Sequence, residues 1–284
     1  MVIDAHQHFW RYDPVRDNWI TDQMSTLKRD FLPQELLPQL TANGIDGCIA
    51  VQADQSEEET MFLLELASQH SQIVGVVGWV DLTARNLGQR LEYFSQFKKL
   101  RGFRHIAQSE PDEWFLARAD FCRGIGLLKS FNFSYDILIY PKHLPAAINL
   151  VEQFPEQRFV LDHIAKPEIR NAQIESWAQG IRTLASHNNT YCKLSGMVTE
   201  ANWKRWPRDQ FSPYLDVVFD AFSPDRLMFG SDWPVCLLAA EYTQVKELVA
   251  DYVRDLPVEQ QKKIFGLNAS RFYGLESAQY GSST

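Results

Sequence analysis

The sequence predicts a single-domain (β/α)8 barrel, and three observations support this. Short apolar runs recur eight times along the 284 residues, and most are too continuously apolar for a sheet with one solvated face. Segments with helical spacing separate these runs, as in a barrel of parallel strands. The glycine fingerprints of nucleotide-binding open sheets, G-x-G-x-x-G and G-x-x-x-x-G-K-[ST], are absent.

The strands are predicted from apolar runs that end in polar residues. In chain order they are "VIDAHQHF", "GIDGCIAVQA", "IVGVVGWVDL", "LRGFRHIA", "FSYDILIY", "RFVLDHIAK", "TYCKLSG" and "RLMFGSD". In a barrel, the C-terminal ends of all strands meet on one face, and enzymes of this fold place their active site there. A polar residue that ends an apolar strand is therefore a candidate for function.

The helices are predicted from caps and apolar stripes. Ser56 precedes a helical segment and Glu59 follows three residues later, which is the spacing of a capping box. Segment 33–44 begins with Pro and ends in Asn-Gly, as helices commonly do. Further amphipathic segments are 143–154, 174–187 and 212–222. Two loop elaborations, at 11–32 and 203–213, and a C-terminal helix at about 257–274 complete the predicted single domain of residues 1–284.

Composition narrows the function classes. The formal net charge is −8 and the pI is near 5.4, which argues against nucleic acid and against an anionic membrane surface. No run approaches 18 apolar residues, and the N-terminus has no leader pattern. Four scattered cysteines favour a reduced, cytoplasmic setting. We therefore expect a protein that acts on a small molecule and uses no organic cofactor. The sequence leaves open whether the protein forms a homo-oligomer.

Three strand ends carry the groups needed to activate water. In the first strand, strict alternation predicts that Asp4, His6 and His8 share one face. The sixth ends in Asp162, His163 and Lys166, and the eighth in Ser231, Asp232 and Trp233. Histidine and carboxylate side chains from separate strands can bind a metal ion or act as general acid and base.

Other strand ends give weaker signals. Arg104 and His105 alternate faces on the fourth strand, so at most one of them points inward. Lys193 and Ser195 on the seventh strand are as consistent with a surface lysine and a turn serine as with a site. Tyr140 and His143 are weaker still. Two other hydrolase motifs, G-x-S-x-G and H-E-x-x-H, do not occur.

The motifs "DAHQHFW", "LDHIAKP", "KLSGM", "FGSDWP" and "NASRFYG", taken in order, resemble the amidohydrolase superfamily. More narrowly, they are similar to its amidohydrolase 2 branch and to the sugar-lactonase group of L-fuconolactonases and L-rhamnonolactonases. The resemblance spans residues 4–274. It implies that His6 and His8 form the first-strand H-x-H pair, that His163 is the sixth-strand histidine, and that Asp232 is the general base. Lys166 and Trp233 would then lie near the substrate.

Two departures from the superfamily pattern bear on the metal. Binuclear members carry a lysine on the fourth strand and a histidine on the fifth, and neither occurs here. The resemblance therefore implies either a single divalent ion, for which zinc is the first choice, or no metal ion. The ion would be held by the four site residues His6, His8, His163 and Asp232.

The resulting expectation is a hydrolase that opens a sugar lactone to its aldonic acid with water activated by Asp232. Carbonyl polarisation would come from His6, His8 and His163, and Arg104, Lys166, Trp10 and Trp233 would bind the sugar. Two alternatives stay open. One is a metal-dependent decarboxylase of the same branch that acts on an aromatic or muconate-type acid. The other is a non-catalytic binding barrel, which predicts that a strand-end His or Asp is missing.

Overall fold

The computed structural model describes residues 1–275, and the stretch 276–284 at the end of the predicted domain lies outside them. Eight parallel strands pair in sequence order, as predicted. They are β1 (Ile3–Gln7), β2 (Gly47–Val51), β3 (Ile73–Gly78), β4 (Leu100–His105), β5 (Ser134–Ile137), β6 (Phe159–Leu161), β7 (Thr190–Leu194) and β8 (Leu227–Phe229).

The barrel closes between β1 and the segment after β8. The His8 N–H donates to the Trp233 carbonyl at 2.7 Å, and the Asp232 N–H donates to the His6 carbonyl at 2.8 Å. A parallel bridge joins Gln7 to Trp233. Closure therefore places Asp232 directly beside the first-strand histidines, which are more than 220 residues away in the sequence.

Helices follow the strands around the outside. They are α1 (Pro33–Ala42), α2 (Glu57–Gln69), α3 (Leu87–Ser95), α4 (Ala119–Leu128), α5 (Leu144–Gln153), α6 (Glu175–Ala185), α7 (Met197–Glu200), α8 (Ser212–Phe222), α9 (Tyr242–Tyr252), α10 (Val258–Lys262) and α11 (Asn268–Tyr273). The predicted C-terminal helix is thus divided in two by a π-helical turn, Lys263–Leu267. The elaboration at 11–32 contains a 3-10 helix, Asp22–Leu27.

The capping box predicted at α2 forms only in part. The Ser56 hydroxyl accepts the Glu59 N–H at 3.2 Å, as expected. The Glu59 carboxylate, however, accepts the backbone N–H groups of Ala53 and Asp54 rather than that of Ser56. Glu59 therefore holds the loop between β2 and α2, which borders the site described below.

Two apolar layers surround the strands. The inner layer fills the barrel and is closed at the N-terminal end of the strands by α11; among its members are Ile49, Val51, Val77, Val160, Met228 and Phe272. The outer layer packs between strands and helices. Above the inner layer, the barrel interior is polar and carries the site.

A β-bulge in β1 corrects one prediction. Ile3 and Ala5 belong to the inner apolar layer, whereas Asp4 faces the outer helices and accepts the Tyr242 hydroxyl at 3.0 Å. The pairing of β1 with β2 shifts register between Asp4 and Gln7. The bulge turns two consecutive residues, Ala5 and His6, inward. Asp4 is therefore not on the face of His6 and His8, contrary to strict alternation.

Within residues 1–275, no helix is long and apolar enough to span a lipid bilayer.

Candidate active site

Three histidines and one aspartate meet at the C-terminal end of the barrel. The Nε2 atoms of His6 and His8 are 3.2 Å apart. Asp232 Oδ1 lies 3.3 Å from His8 Nε2, 3.8 Å from His6 Nε2 and 3.8 Å from His163 Nε2. The sequence-predicted residues of β1, β6 and β8 are therefore brought together around one carboxylate oxygen.

Backbone contacts decide which nitrogen of His8 carries the proton. His8 Nδ1 lies 2.7 Å from the Val51 carbonyl oxygen, which only accepts hydrogen bonds. Nδ1 is therefore the N–H nitrogen, and Nε2 presents its lone pair to His6 and Asp232. His163 Nδ1 is 2.9 Å from the Ser195 hydroxyl, which orients that ring with Nε2 towards Asp232.

Unusual backbone angles place two of these side chains. Residues 163–166, from His163 to Lys166, all have φ between 47° and 60°, and Asp232 has a φ of 57°. Left-handed conformations cost energy for residues other than glycine and often mark functional sites. Here they turn the chain sharply after β6 and β8, so His163 and Asp232 face the cluster.

The donor atoms fit a divalent metal ion. His6, His8 and Asp232 each offer one ligand atom within 4.8 Å of the others. Ligand atoms about 2.0–2.1 Å from a tetrahedral zinc ion are about 3.3 Å apart. The separations of 3.2, 3.3 and 3.8 Å lie close to this value. Imidazole and carboxylate are also ligand types that zinc prefers.

Burial sets the charge states of the cluster. It lowers the pKa of His6, His8 and His163, which keeps these imidazoles neutral near pH 7. Burial by itself raises the pKa of Asp232, and the positive charge of Lys166 opposes that shift, so the carboxyl group stays ionised near pH 7. The cluster therefore combines neutral rings with one carboxylate.

A network of buried charges lies beneath the cluster. Arg104 Nη1 is 3.0 Å from Asp162 Oδ2, and Arg104 Nη2 contacts Gln52. Lys193 Nζ is 2.9 Å from Asp162 Oδ1 and 2.5 Å from Asp136 Oδ2. Asp136 Oδ2 also accepts the hydroxyl of Tyr273 on α11, at 2.9 Å. Two cations thus face two carboxylates inside the barrel.

Sequence reasoning missed much of this network. Arg104 points inward and His105 outward, in line with the predicted alternation. Lys193 is fully buried rather than at the surface, while Asp136 and Tyr273 gave no sequence signal that we used. The signal was present in the strand register, because Arg104, Asp136 and Lys193 occupy inward positions on β4, β5 and β7.

The cluster opens into a cavity of about 280 Å³. Its walls combine aromatic, aliphatic and polar side chains, among them Trp10, Trp19, Asp54, Gln55, Arg104, Gln108, Leu138, Lys166 and Val235, with His8, His163 and Asp232 at the base. This volume is just below the usual range of about 300–1,000 Å³ for small-molecule sites, so the cavity suits a small ligand.

The two tryptophans predicted near the substrate lie in different places. Trp10 lines the cavity, and its Nε1–H donates to the Arg29 carbonyl at 2.9 Å. Trp233 is 3% exposed, packs edge-on against Phe9 and Phe31, and is not among the lining residues. Trp19, from the 11–32 elaboration, lines the cavity and is 39% exposed.

Comparisons with known proteins agree with this geometry. The family model described as "Amidohydrolase" matches residues 3–275. The chain belongs to the amidohydrolase family. It is 42% identical to an L-fucono-1,5-lactonase from Burkholderia multivorans, over 96% of this chain and 96% of that protein. It is 34% identical to an L-fucono-1,5-lactonase from Burkholderia ambifaria, over 96% of each chain.

A solved structure is similar throughout. It is an amidohydrolase from Burkholderia multivorans with bound zinc, with a TM-score of 0.94 and 41% identity. The match covers 96% of this chain and 99% of that one. The comparison supports the assignment of the whole described barrel to this family.

Proposed function

We propose that this enzyme opens a sugar lactone to the corresponding aldonic acid. The observation that carries the proposal is a single carboxylate, Asp232, held by three histidines at the base of a small cavity. The two L-fucono-1,5-lactonases at 42% and 34% identity support the substrate class. We further propose a 6-deoxy aldonolactone, such as L-fuconolactone or L-rhamnonolactone, as the first substrate to test.

In this proposal, Asp232 is the general base. It accepts a proton from a water molecule, and that water attacks the lactone carbonyl carbon. His163 lies across the cavity base, so its Nε2 is placed to bind the water or the carbonyl oxygen. When the ring C–O bond breaks, the proton on Asp232 passes to the ring oxygen. The product is an open-chain hydroxy acid.

His6, His8 and Asp232 would hold a divalent ion, and we propose zinc. Such an ion polarises a carbonyl group and lowers the pKa of a nearby water molecule. The chain's own contribution is to present lone pairs from two neutral imidazoles next to a carboxylate.

The cavity walls would bind the sugar. We propose that Trp10 and Trp19 contact its less polar face, because their rings lie 6.0 Å apart on the same side of the cavity. Lys166 and Arg104 would donate hydrogen bonds to hydroxyl or carbonyl oxygens. Arg104 also binds Asp162, so part of its hydrogen-bonding capacity is already used. Trp233 would not contact the sugar; it would support the loop that carries Asp232 by packing in the core beneath it.

The test is a panel of aldonolactones assayed for acid release, with zinc content measured in the same samples. We expect hydrolysis of at least one 6-deoxy aldonolactone and a much lower rate for simple alkyl esters. A parallel arm with aromatic carboxylic acids, followed by CO2 release, tests the decarboxylase alternative. Acid release from none of the lactones would contradict the proposal.

Trp19→Ala tests the proposed wall. We expect a higher KM with little change in kcat, since Trp19 lines the cavity but is not one of the residues proposed to take part in the bond-breaking step. Trp114→Ala is the matched control, because Trp114 is 55% exposed and does not line the cavity. Equal KM values for the Trp19 variant and the wild type would remove Trp19 from the proposed site.

Buried cysteines bear on the cellular setting. Cys48, Cys122, Cys192 and Cys236 are free and buried in the structure. This supports our proposal of a reduced, cytoplasmic environment. Fractionation of cells that express the protein tests it.

A further inference from the structure

The segment that follows β4 forms part of the cavity wall, and the proposed reaction leaves its anchoring unexplained. Ile106, Gln108 and Ser109 line the cavity. Residues 107–109 form a single 3-10 turn, which has few backbone hydrogen bonds of its own. Other contacts must therefore hold this segment against the barrel. We call residues 106–109 the β4 wall.

A side-chain hydrogen bond joins the two ends of the β4 wall. His105 Nε2 lies 2.6 Å from Glu110 Oε1, and these two residues flank the wall on either side. The bond closes residues 105–110 into a short loop, which reduces the number of conformations open to the residues between them. The sequence also indicated His105 as a strand-end candidate, and the proposed reaction does not use it.

Neighbouring aromatic residues fix the orientation of the His105 ring. Trp79 follows β3, and its Nε1 lies 3.4 Å from His105 Nδ1. An indole N–H can only donate, so the ring proton of His105 is on Nε2, where the Glu110 carboxylate accepts it. Both contacts therefore require the same tautomer. Phe115 stacks on the ring with a centroid distance of 4.6 Å and an interplanar angle of 15°, so His105 presents its donor in a fixed direction.

Backbone hydrogen bonds connect the β4 wall to its neighbours. The Ile106 N–H donates to Gln55 Oε1 at 2.7 Å, and the Gln108 N–H donates to the Leu138 carbonyl at 3.1 Å. Gln55 and Leu138 line the cavity as well. The wall therefore shares hydrogen bonds with the loops that follow β2 and β5, and a shift of the wall would change the shape of the cavity.

The far end of the β4 wall depends on the His105–Glu110 bond. The N–H groups of Ser109 and Glu110 donate to the carbonyls of Ile106 and Ala107, which belong to the same short segment. Among the hydrogen bonds within residues 1–275, only the one from His105 reaches this end from outside the turn. Loss of that bond would leave Ser109 held by the turn alone.

We propose that His105 and Glu110 are positioning residues, whose hydrogen bond holds the β4 wall in place and thereby sets how tightly the cavity binds its ligand. The inference rests on the proposed function, in which that ligand is a sugar lactone. Neither residue lines the cavity, so both act through the wall. The residues of the proposed bond-breaking step come from β1, from the turn after β6 and from the segment after β8. The bond should therefore affect KM and leave kcat unchanged.

The first experiment compares two variants of Glu110 in the full-length protein. Glu110→Ala removes the acceptor, and because this side chain is partly exposed, the change leaves the core intact. If the wall is then in place for only about a fifth of the time, the apparent affinity falls by that fraction, so we expect KM to rise about fivefold or more. Glu110→Gln keeps an oxygen that accepts the His105 N–H. Its KM should stay close to that of the wild type, and kcat should be similar in all three proteins.

Glu113→Ala is the matched control. Glu113 lies in the same loop, forms an exposed ion pair with Lys142 at 3.3 Å and does not line the cavity. Its KM should equal that of the wild type. An unchanged KM in Glu110→Ala, a loss confined to kcat, or an equal rise of KM in Glu113→Ala would overturn the proposal, because the effect would then not come from the bond to His105.

The second experiment measures the β4 wall without turnover. Amide hydrogen exchange of Ile106 and Gln108 should be faster in Glu110→Ala and restored in Glu110→Gln, since the bond limits local opening. Exchange that is unchanged in Glu110→Ala would overturn the proposal.

A sugar lactam with the hydroxyl groups of L-fuconolactone separates this proposal from the proposed hydrolysis. Its dissociation constant, measured by calorimetry, should change across the variants as KM does. If the wild type binds the lactam but opens no lactone, the proposed hydrolysis is wrong, while the effect of the His105–Glu110 bond on binding is still measured. Equal lactam affinity in wild type and Glu110→Ala would contradict the role of the bond.

Discussion

Replacement of Asp232 by asparagine is the sharpest test of the proposed chemistry. The change preserves size and removes the base. His8 Nδ1–H donates to Val51, so His8 Nε2 is an acceptor 3.3 Å from the carboxylate. An asparagine N–H can donate to that lone pair, and the fold should survive. General bases contribute about 10²–10⁴-fold to the rate, so we expect kcat to fall by that factor, or about 3–5 kcal/mol in the barrier.

The assay is acid release from the best lactone of the panel, with unfolding followed in parallel. Asp46→Asn is the control, because Asp46 lies at the opposite end of the barrel, before β2. Its activity should equal that of the wild type. A general base contributes more than about tenfold to the rate. If Asp232→Asn keeps activity within about tenfold of wild type, the assignment of Asp232 as the base is therefore wrong.

Two further predictions concern stability. Gly124→Ala should destabilise the protein by about 1–3 kcal/mol, because the new Cβ would lie 2.0 Å from the Leu82 carbonyl oxygen. Gly88→Ala is the control: its new Cβ meets no atom within 4 Å, so this variant should be as stable as the wild type or slightly more stable. Thermal melting of the two variants measures the difference. Burial raises the pKa of Glu59 from 4.5 to about 8, so the folded state retains a proton that the unfolded state loses. The stability that this proton provides is complete below about pH 4.5 and is lost as the pH rises to about 8. Urea unfolding across this range should show a smaller loss in Glu59→Gln than in wild type; part of the loss remains, because burial also raises the pKa of Asp4 to about 6.

The architecture was predictable because the relevant signals are local. Continuous apolar runs indicate strands that are covered on both faces, and each of the eight predicted runs contains a strand of the barrel. The rule that strand ends converge then identified His6, His8, His163 and Asp232 as neighbours before any distance was known. Most of the helices were predictable from capping residues and from amphipathic spacing. The C-terminal helix was predicted as continuous, whereas a π-helical turn divides it.

The direction of individual side chains was less predictable. Asp4 was expected beside His6, and the bulge in β1 reversed its face. A bulge depends on pairing with β2 and on contacts with Ser231 and Tyr242, residues far along the chain. Trp233 shares a motif with Asp232 yet packs in the core, whereas Trp19 reaches the cavity from a loop with no strand pattern.

The sequence by itself determined the barrel, its strand order and the four residues at its mouth, since each depends on spacing within a short segment. Only the tertiary structure decided how those residues are charged and protonated. Lys193, Asp136 and Tyr273 come from β7, β5 and α11, and they meet because the strands close into a ring. Burial and mutual distance set the neutral state of the three histidines and the charge of Asp232, and neither quantity exists before the chain has folded.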